Sequence, residues 1–176
     1  MGRIVFVTGG RRSGKSALAQ GYAETLAGER LYIATSPALD EEMAARIEAH
    51  KKAREGKGWR TIEEQTDLAG AIGRAGAAGV ALVECLTLWV NNILHYNGSA
   101  GAAETVAETA MALTLAQARR AAGTVIFVTN EVGWCVTPEN ALARRFSDLA
   151  GMVNQLAARE ADEAYMVISG IPQKIK

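Results

Sequence analysis

One short run near the start of the chain, Gly9-Gly10-Arg11-Arg12-Ser13-Gly14-Lys15-Ser16, has the spacing of a phosphate-binding loop: a glycine, four free positions, then Gly-Lys-Ser. Glycines let successive backbone amides turn toward one concavity. A helix that opens at the end of the loop adds its partial positive charge to the same spot. Lys15 has the reach to touch the outer phosphates of a nucleoside triphosphate, and the Ser16 hydroxyl suits the Mg²⁺ that accompanies it. An apolar run precedes the loop and a helix-forming run follows it, which separates the motif from a chance glycine-rich turn. Arg11 and Arg12 read either as solvated loop charges or as extra phosphate contacts, and their spacing leaves both open.

A second group of reactive residues lies downstream. The segment 40–54 has acids at its start and bases at its end, the order that complements a helix dipole. Met43 and Ile47 mark an apolar side, and Arg46, His50 and Arg54 recur every four residues as one strip. Cations beside an imidazole disfavour its protonated form. A neutral imidazole is what attacks phosphorus, and neighbouring arginines neutralise the phosphates being attacked. The competing reading is an ordinary histidine at a helix C-terminus, and spacing alone does not decide between the two. Glu84 closes the apolar run 80–83, where open α/β sheets carry their ligand sites; the alternative is a carboxylate that merely ends a strand. His95, beside an aromatic and a glycine loop, reads as structural or surface.

These residues need a scaffold that brings them together. Strands are expected over 4–8, 31–34, 80–83, 124–129 and 165–169, and helices over 16–27, 40–54, 68–75, 103–122 and 138–159. The strand candidates are continuously apolar, so both sheet faces should be covered. The expected fold is therefore α/β, a P-loop NTPase-type (RecA-like) mostly parallel sheet with helices on both faces and right-handed crossovers. Segments 55–60 and 96–102 read as surface loops. No repeat or linker divides the chain, so residues 1–176 are expected to form one nucleotide-binding catalytic domain.

Lysine plus arginine equals aspartate plus glutamate, at 19 each, so no overall attraction to nucleic acid or an anionic membrane is expected. No apolar run has the length of a membrane span or a signal-peptide core, and Phe6 stands where a lipidation signal needs Ser or Thr. Cys85 and Cys135 lack metal-ligand spacing and read as buried thiols. The expectation is a cytoplasmic protein. The run Thr129-Asn130-Glu131-Val132 carries no guanine-reading Asn-Lys-x-Asp. Asp67-Leu-Ala-Gly70 and Asp148-Leu-Ala-Gly151 match a GTPase switch motif only superficially, because both lie in helical sequence. A switch-type GTPase is thereby disfavoured.

The ordered blocks carry more than the loop alone. Val7-Thr8-Gly9-Gly10 through Ser16, Leu31 through Ser36, Met43 through His50, Trp59-Arg60-Thr61 and Val83-Glu84-Cys85 resemble one family. So do Val128 through Gly133, Pro138-Glu139-Asn140, Val153-Asn154-Gln155 and the closing Ser169-Gly170-Ile171 and Lys174-Ile175-Lys176. That family is the bifunctional adenosylcobinamide kinase / adenosylcobinamide-phosphate guanylyltransferase. The resemblance implies phosphorylation of adenosylcobinamide by ATP or GTP, then transfer of GMP from GTP to the resulting phosphate, a late step in cobalamin assembly. It implies that His50 attacks the α-phosphate and holds GMP covalently. It carries over nucleotide contacts at Ala34, Thr35 and Ser36, at Lys51, Lys52, Ala53 and Arg54, and at Glu84, and it implies a homotrimer. Cys135 departs from the family pattern where a glycine is expected, and Met152 where a basic residue is frequent. Two rival classes stay open: a P-loop kinase of another small alcohol with His50 idle, and a nucleotide-sensing module without chemistry.

Overall fold

A computed structural model describes residues 1–37, 41–76, 78–97, 100–134 and 136–176, with backbone alone for Glu42, Arg46, Ala100 and Gly101. Asp40, Gly98, Ser99 and Cys135, on which expectations fell, lie outside the described residues. The elements run β1 (Arg3–Gly9), α1 (Lys15–Glu24), β2 (Arg30–Ala34), α2 (Glu41–Arg54), β3 (Trp59–Glu63), α3 (Leu68–Gly73) and β4 (Val80–Glu84). They continue through α4 (Leu86–Asn97), α5 (Ala100–Arg120), β5 (Thr124–Val128), α6 (Ala141–Glu160), β6 (Glu163–Ile168) and β7 (Ile171–Lys174).

One seven-stranded sheet holds them all, in the order β3-β2-β4-β5-β1-β6-β7. Every pairing is parallel except the β6–β7 hairpin. Along each strand successive side chains point to opposite faces, and the core divides accordingly. Ile4, Phe6, Ile33, Val83 and Phe127 pack under α3, α4, α5 and α6, together with Trp89 and Met111. Val5, Val7, Leu82, Ile126 and Val128 face the other way, against Ala19 and Ala23 of α1. Both faces are covered, as expected, but unequally: four helices on one side, and α1 as the main cover on the other.

Three expectations need correction. Residues 59–63 form edge strand β3 instead of finishing a loop, because Ile62 and Trp59 reach opposite halves of the core. The described residues of 96–102 are helical: Tyr96 and Asn97 end α4, and α5 begins at Ala100. Helix α4 itself had no counterpart in the sequence reading. Its Leu86, Trp89, Val90 and Ile93 follow helical spacing and are all buried. At the far edge, Ser169 (φ 50°) and Gly170 (φ 83°) make a two-residue turn with both residues left-handed. That turn closes β7, whose Pro172 suits an edge strand.

Candidate active site

The carboxyl ends of β1, β2, β4 and β5 converge on a cavity of about 350 Å³, a volume typical of small-molecule sites. After β1 the chain enters the expected loop. Gly9 must be glycine there, since a Cβ would lie 2.5 Å from the Val167 carbonyl oxygen and 2.7 Å from Ser13 Oγ. Gly14 takes φ 94° and opens α1 without a side-chain cap, so the first amides of the helix stay available to an anion. The loop is held from both sides: Ser13 N–H donates to Gly10 O at 3.2 Å, and Gly170 N–H of the hairpin turn donates to Ser13 O at 2.8 Å. Lys15 is 7% exposed, with Nζ 3.3 Å from Gly10 O.

Lys15, Ser16, Arg11 and Arg12 line one wall of this cavity, and His50, Lys51 and Arg54 line another. Met43 and Ile47 line it too, so the inward face of α2 runs through 43, 47, 50 and 54. The apolar side and the histidine strip, read separately from the sequence, are thus one surface. Ala34, Ser36 and Glu84 complete the lining contributed by expected residues. Seven other expected residues are not part of this lining: Gly9, Gly10, Ser13, Gly14, Thr35, Lys52 and Ala53. Lys52 and Ala53 are exposed and do not line the cavity. Ser13 is buried inside the loop. Thr35 is fully buried, and its Oγ1 donates to Cys85 O at 2.9 Å and accepts from Cys85 N–H at 2.8 Å. Thr35 therefore stitches the end of β2 to the end of β4, which keeps Glu84 in place.

The electrostatics are those of an anion site. Arg54 is 5% exposed and lies 3.4 Å over the Tyr32 ring, a close cation–π contact. Its Nε and Nη1 are sealed from solvent and have no hydrogen-bond partner among the described residues. A buried guanidinium left so is costly unless an anion completes it. Glu84 Oε1 accepts the Ser16 hydroxyl at 2.6 Å, while Oε2 is buried and has no hydrogen-bond partner among the described residues. Burial pushes the Glu84 carboxyl above the usual range, against the pull of the Ser16 hydrogen bond and the Lys15 and Arg54 charges. Burial likewise pushes the Tyr32 hydroxyl and the Cys85 thiol up, and the nearby Glu84 adds to both.

With this geometry established, similarity to known proteins carries specific meaning. The family model described as cobinamide kinase / cobinamide phosphate guanyltransferase matches residues 5–175. The chain belongs to that family. The bifunctional adenosylcobalamin biosynthesis protein CobU of Salmonella typhimurium is 44% identical, over 98% of this chain and 99% of its own. CobU of Escherichia coli is 43% identical over the same shares, and CobP of Pseudomonas aeruginosa is 37% identical over 97% and 95%.

In this cobinamide kinase / guanyltransferase chain, residues beyond those expected also reach the cavity. Asn130 and Glu131 follow β5 after Thr129 and line the cavity. Thr8 Oγ1 donates to Glu131 Oε1 at 2.6 Å, and Glu131 N–H donates to Gly9 O at 3.2 Å. Asn154 of α6 donates to Asn130 O and accepts from Thr129 Oγ1, which pairs with Thr87 Oγ1. This polar thread ties the floor of the cavity to β1, β5, α4 and α6. A usable signal was present: a polar run, Thr129-Asn130-Glu131, directly after an apolar strand. Met152 packs partly buried against the core. Among the described residues, no helix is long and apolar enough to cross a membrane.

Proposed function

We propose that the chain phosphorylates the hydroxyl of adenosylcobinamide with ATP or GTP and then transfers GMP from GTP to the product, through a covalent bond to His50. The observation that carries this reading is the shared cavity, where Lys15 of the phosphate loop and the buried Arg54 guanidinium, two of whose nitrogens have no hydrogen-bond partner among the described residues, line the same space as His50. In the first reaction the acceptor oxygen attacks the γ-phosphorus and a nucleoside diphosphate leaves. In the second, an imidazole nitrogen of His50 attacks the α-phosphorus of GTP, and the bond to the β-phosphate oxygen breaks, releasing pyrophosphate. A phosphate oxygen of cobinamide phosphate then displaces the imidazole and forms the diphosphate bond. The backbone amides of residues 9–16, together with Lys15, hold the phosphates in both reactions. Arg54 offsets charge on the phosphorus attacked by His50.

The residues present suit a hard divalent cation such as Mg²⁺ alongside the nucleotide. Ser16 Oγ and Glu84 Oε2 are oxygen donors at the mouth of the loop. Among the described residues no group of three or more His, Cys, Asp and Glu could hold a metal alone, which suits an ion whose other ligands are phosphate and water. Such an ion would neutralise charge between adjacent phosphates. We place the reactions in the cytoplasm and take the assembly as a homotrimer; the exposed Trp134, Val136 and Leu142 support an assembly.

GTP labelled at the α-phosphate tests the central claim. The expected result is an acid-labile label on the protein that His50→Ala does not acquire. A wild-type protein that turns over cobinamide but never carries label points instead to a plain alcohol kinase. A protein that binds nucleotide without turnover points to a sensing module.

A further inference from the structure

Three carboxylates line the cavity. Glu63 is exposed and paired with Lys51 at 3.5 Å, and the surroundings of the other two divide their work. Glu84 is bonded to Ser16, the hydroxyl at the cation position, and so belongs with the nucleotide. Glu131 stands apart from it, one residue beyond Asn130 and beside the phosphate loop. Its Oε1 is anchored by the Thr8 hydroxyl at 2.6 Å and the Asn154 amide at 3.5 Å. Its backbone N–H is anchored on Gly9 O. Oε2 has no hydrogen bond to any described residue. A carboxylate whose hydrogen bonds among the described residues all fall on one oxygen, at a phosphate site, has the form of an oriented proton acceptor.

The two proposed reactions differ in their need for one. The acceptor of the first is an alcohol, whose proton must leave as the new O–P bond forms. The acceptor of the second is a phosphomonoester, whose oxygens are already largely ionised near neutral pH. A neutral imidazole attacks through its lone pair and needs no base either.

We infer that Glu131 is the general base of the phosphorylation step alone, its Oε2 taking the proton of the cobinamide hydroxyl. The balance is simple: the O–H bond breaks toward Glu131, the O–P bond forms at the γ-phosphorus, and the nucleoside diphosphate departs with the electrons of the cleaved bond. The proton then passes from Glu131 to solvent. This rests on the two-reaction reading above and deepens it.

The experiment measures two turnovers in each variant: phosphorylation of cobinamide, and GMP transfer to cobinamide phosphate supplied ready-made. Glu131→Gln keeps an oxygen that accepts from Thr8 and removes the basic carboxylate. The expected result is that the ratio of phosphorylation to GMP transfer falls about a hundredfold or more. Glu131→Asp retains a carboxylate at a shorter reach, and its ratio should lie between the two. A wild-type ratio in Glu131→Gln, whether both rates are high or both are equally depressed, overturns the assignment. If Glu131→Gln does not fold, Glu131→Asp decides alone: a lowered ratio supports the assignment and an unchanged one overturns it. Failure of the underlying two-reaction reading is distinguishable, because the wild-type protein would then itself show no phosphorylation.

Discussion

Helices α1 and α2 both bring cations to the same cavity, yet they are held in opposite ways. Lys15, Ala19, Gln20 and Ala23 of α1 are buried against the sheet, and the loop before it is pinned by Ser13 and Gly170. Of the described side chains of α2, only Arg54 is buried. The helix then leaves through Gly56 and Gly58, both at φ 72°. Phosphates common to both reactions are thus met by a fixed cradle. The imidazole needed by one reaction rides on an arm with little apolar anchorage, and low local burial means low local stability. Precision is spent where every substrate must sit, and freedom is left where a covalent adduct must form and then be handed on.

The sharpest way to break this contrast is to delete the reactive group of each helix. Lys15→Ala should lower both phosphorylation and GMP transfer by about 10² to 10³, measured as turnover with each acceptor. His50→Ala should abolish the covalent label and GMP transfer while phosphorylation stays within about threefold. Equal damage to both reactions by both variants would erase the distinction between cradle and arm. Next comes packing. Gly9→Ala forces a Cβ onto the Val167 carbonyl, and overpacking of this kind costs about 1–3 kcal/mol. A denaturant titration should show that loss, whereas Lys52→Ala on the outer side of α2 should stay within about 0.5 kcal/mol.

Arg54 sharpens the comparison further, because it is the one buried residue among the described side chains of α2 and two of its nitrogens have no hydrogen-bond partner among the described residues. Arg54→Met should weaken GMP transfer about tenfold or more, yet leave stability unchanged or raise it by about 1 kcal/mol. A large stability loss would mean that the guanidinium anchors the helix instead of serving the ligand. The smallest expected effect is dynamic. Amides of α2 should exchange faster than those of α1, and saturating GTP should slow α2 by about tenfold, near 1.4 kcal/mol.

What the sequence revealed depended on whether a feature was local. The phosphate loop is a contiguous run, and its context was visible in the flanking residues. The interior strands β1, β2, β4, β5 and β6 stood out because burial on both faces demands unbroken apolar runs. Strand β3 did not, since an edge position lets Trp59, Ile62 and the polar residues between them share one short segment. Helix α4 follows β4 after Cys85 alone, so the apolar stretch showed no break where strand gives way to helix. His50 was visible as a residue type, but its facing partners were not. The inward face through Met43, Ile47, His50 and Arg54 is set by how α2 lies over the β2 and β4 ends. The Thr8–Glu131–Asn154 thread joins three distant parts of the chain, which no spacing rule connects. Thr35 belongs to a block that suggested ligand contact, and its hydroxyl also bonds the backbone of Cys85, a link across the chain that spacing did not show.

The hydrogen bond from Gly170 to Ser13 has a bearing on how the protein is made. The phosphate loop is synthesised well before the hairpin that braces it. A chain emerging from the ribosome therefore holds the complete sequence of its triphosphate seat long before that seat can take its working shape. Competence to bind nucleotide should arrive abruptly, with the docking of β6 and β7, so a chain not yet extended through Gly170 would not sequester GTP.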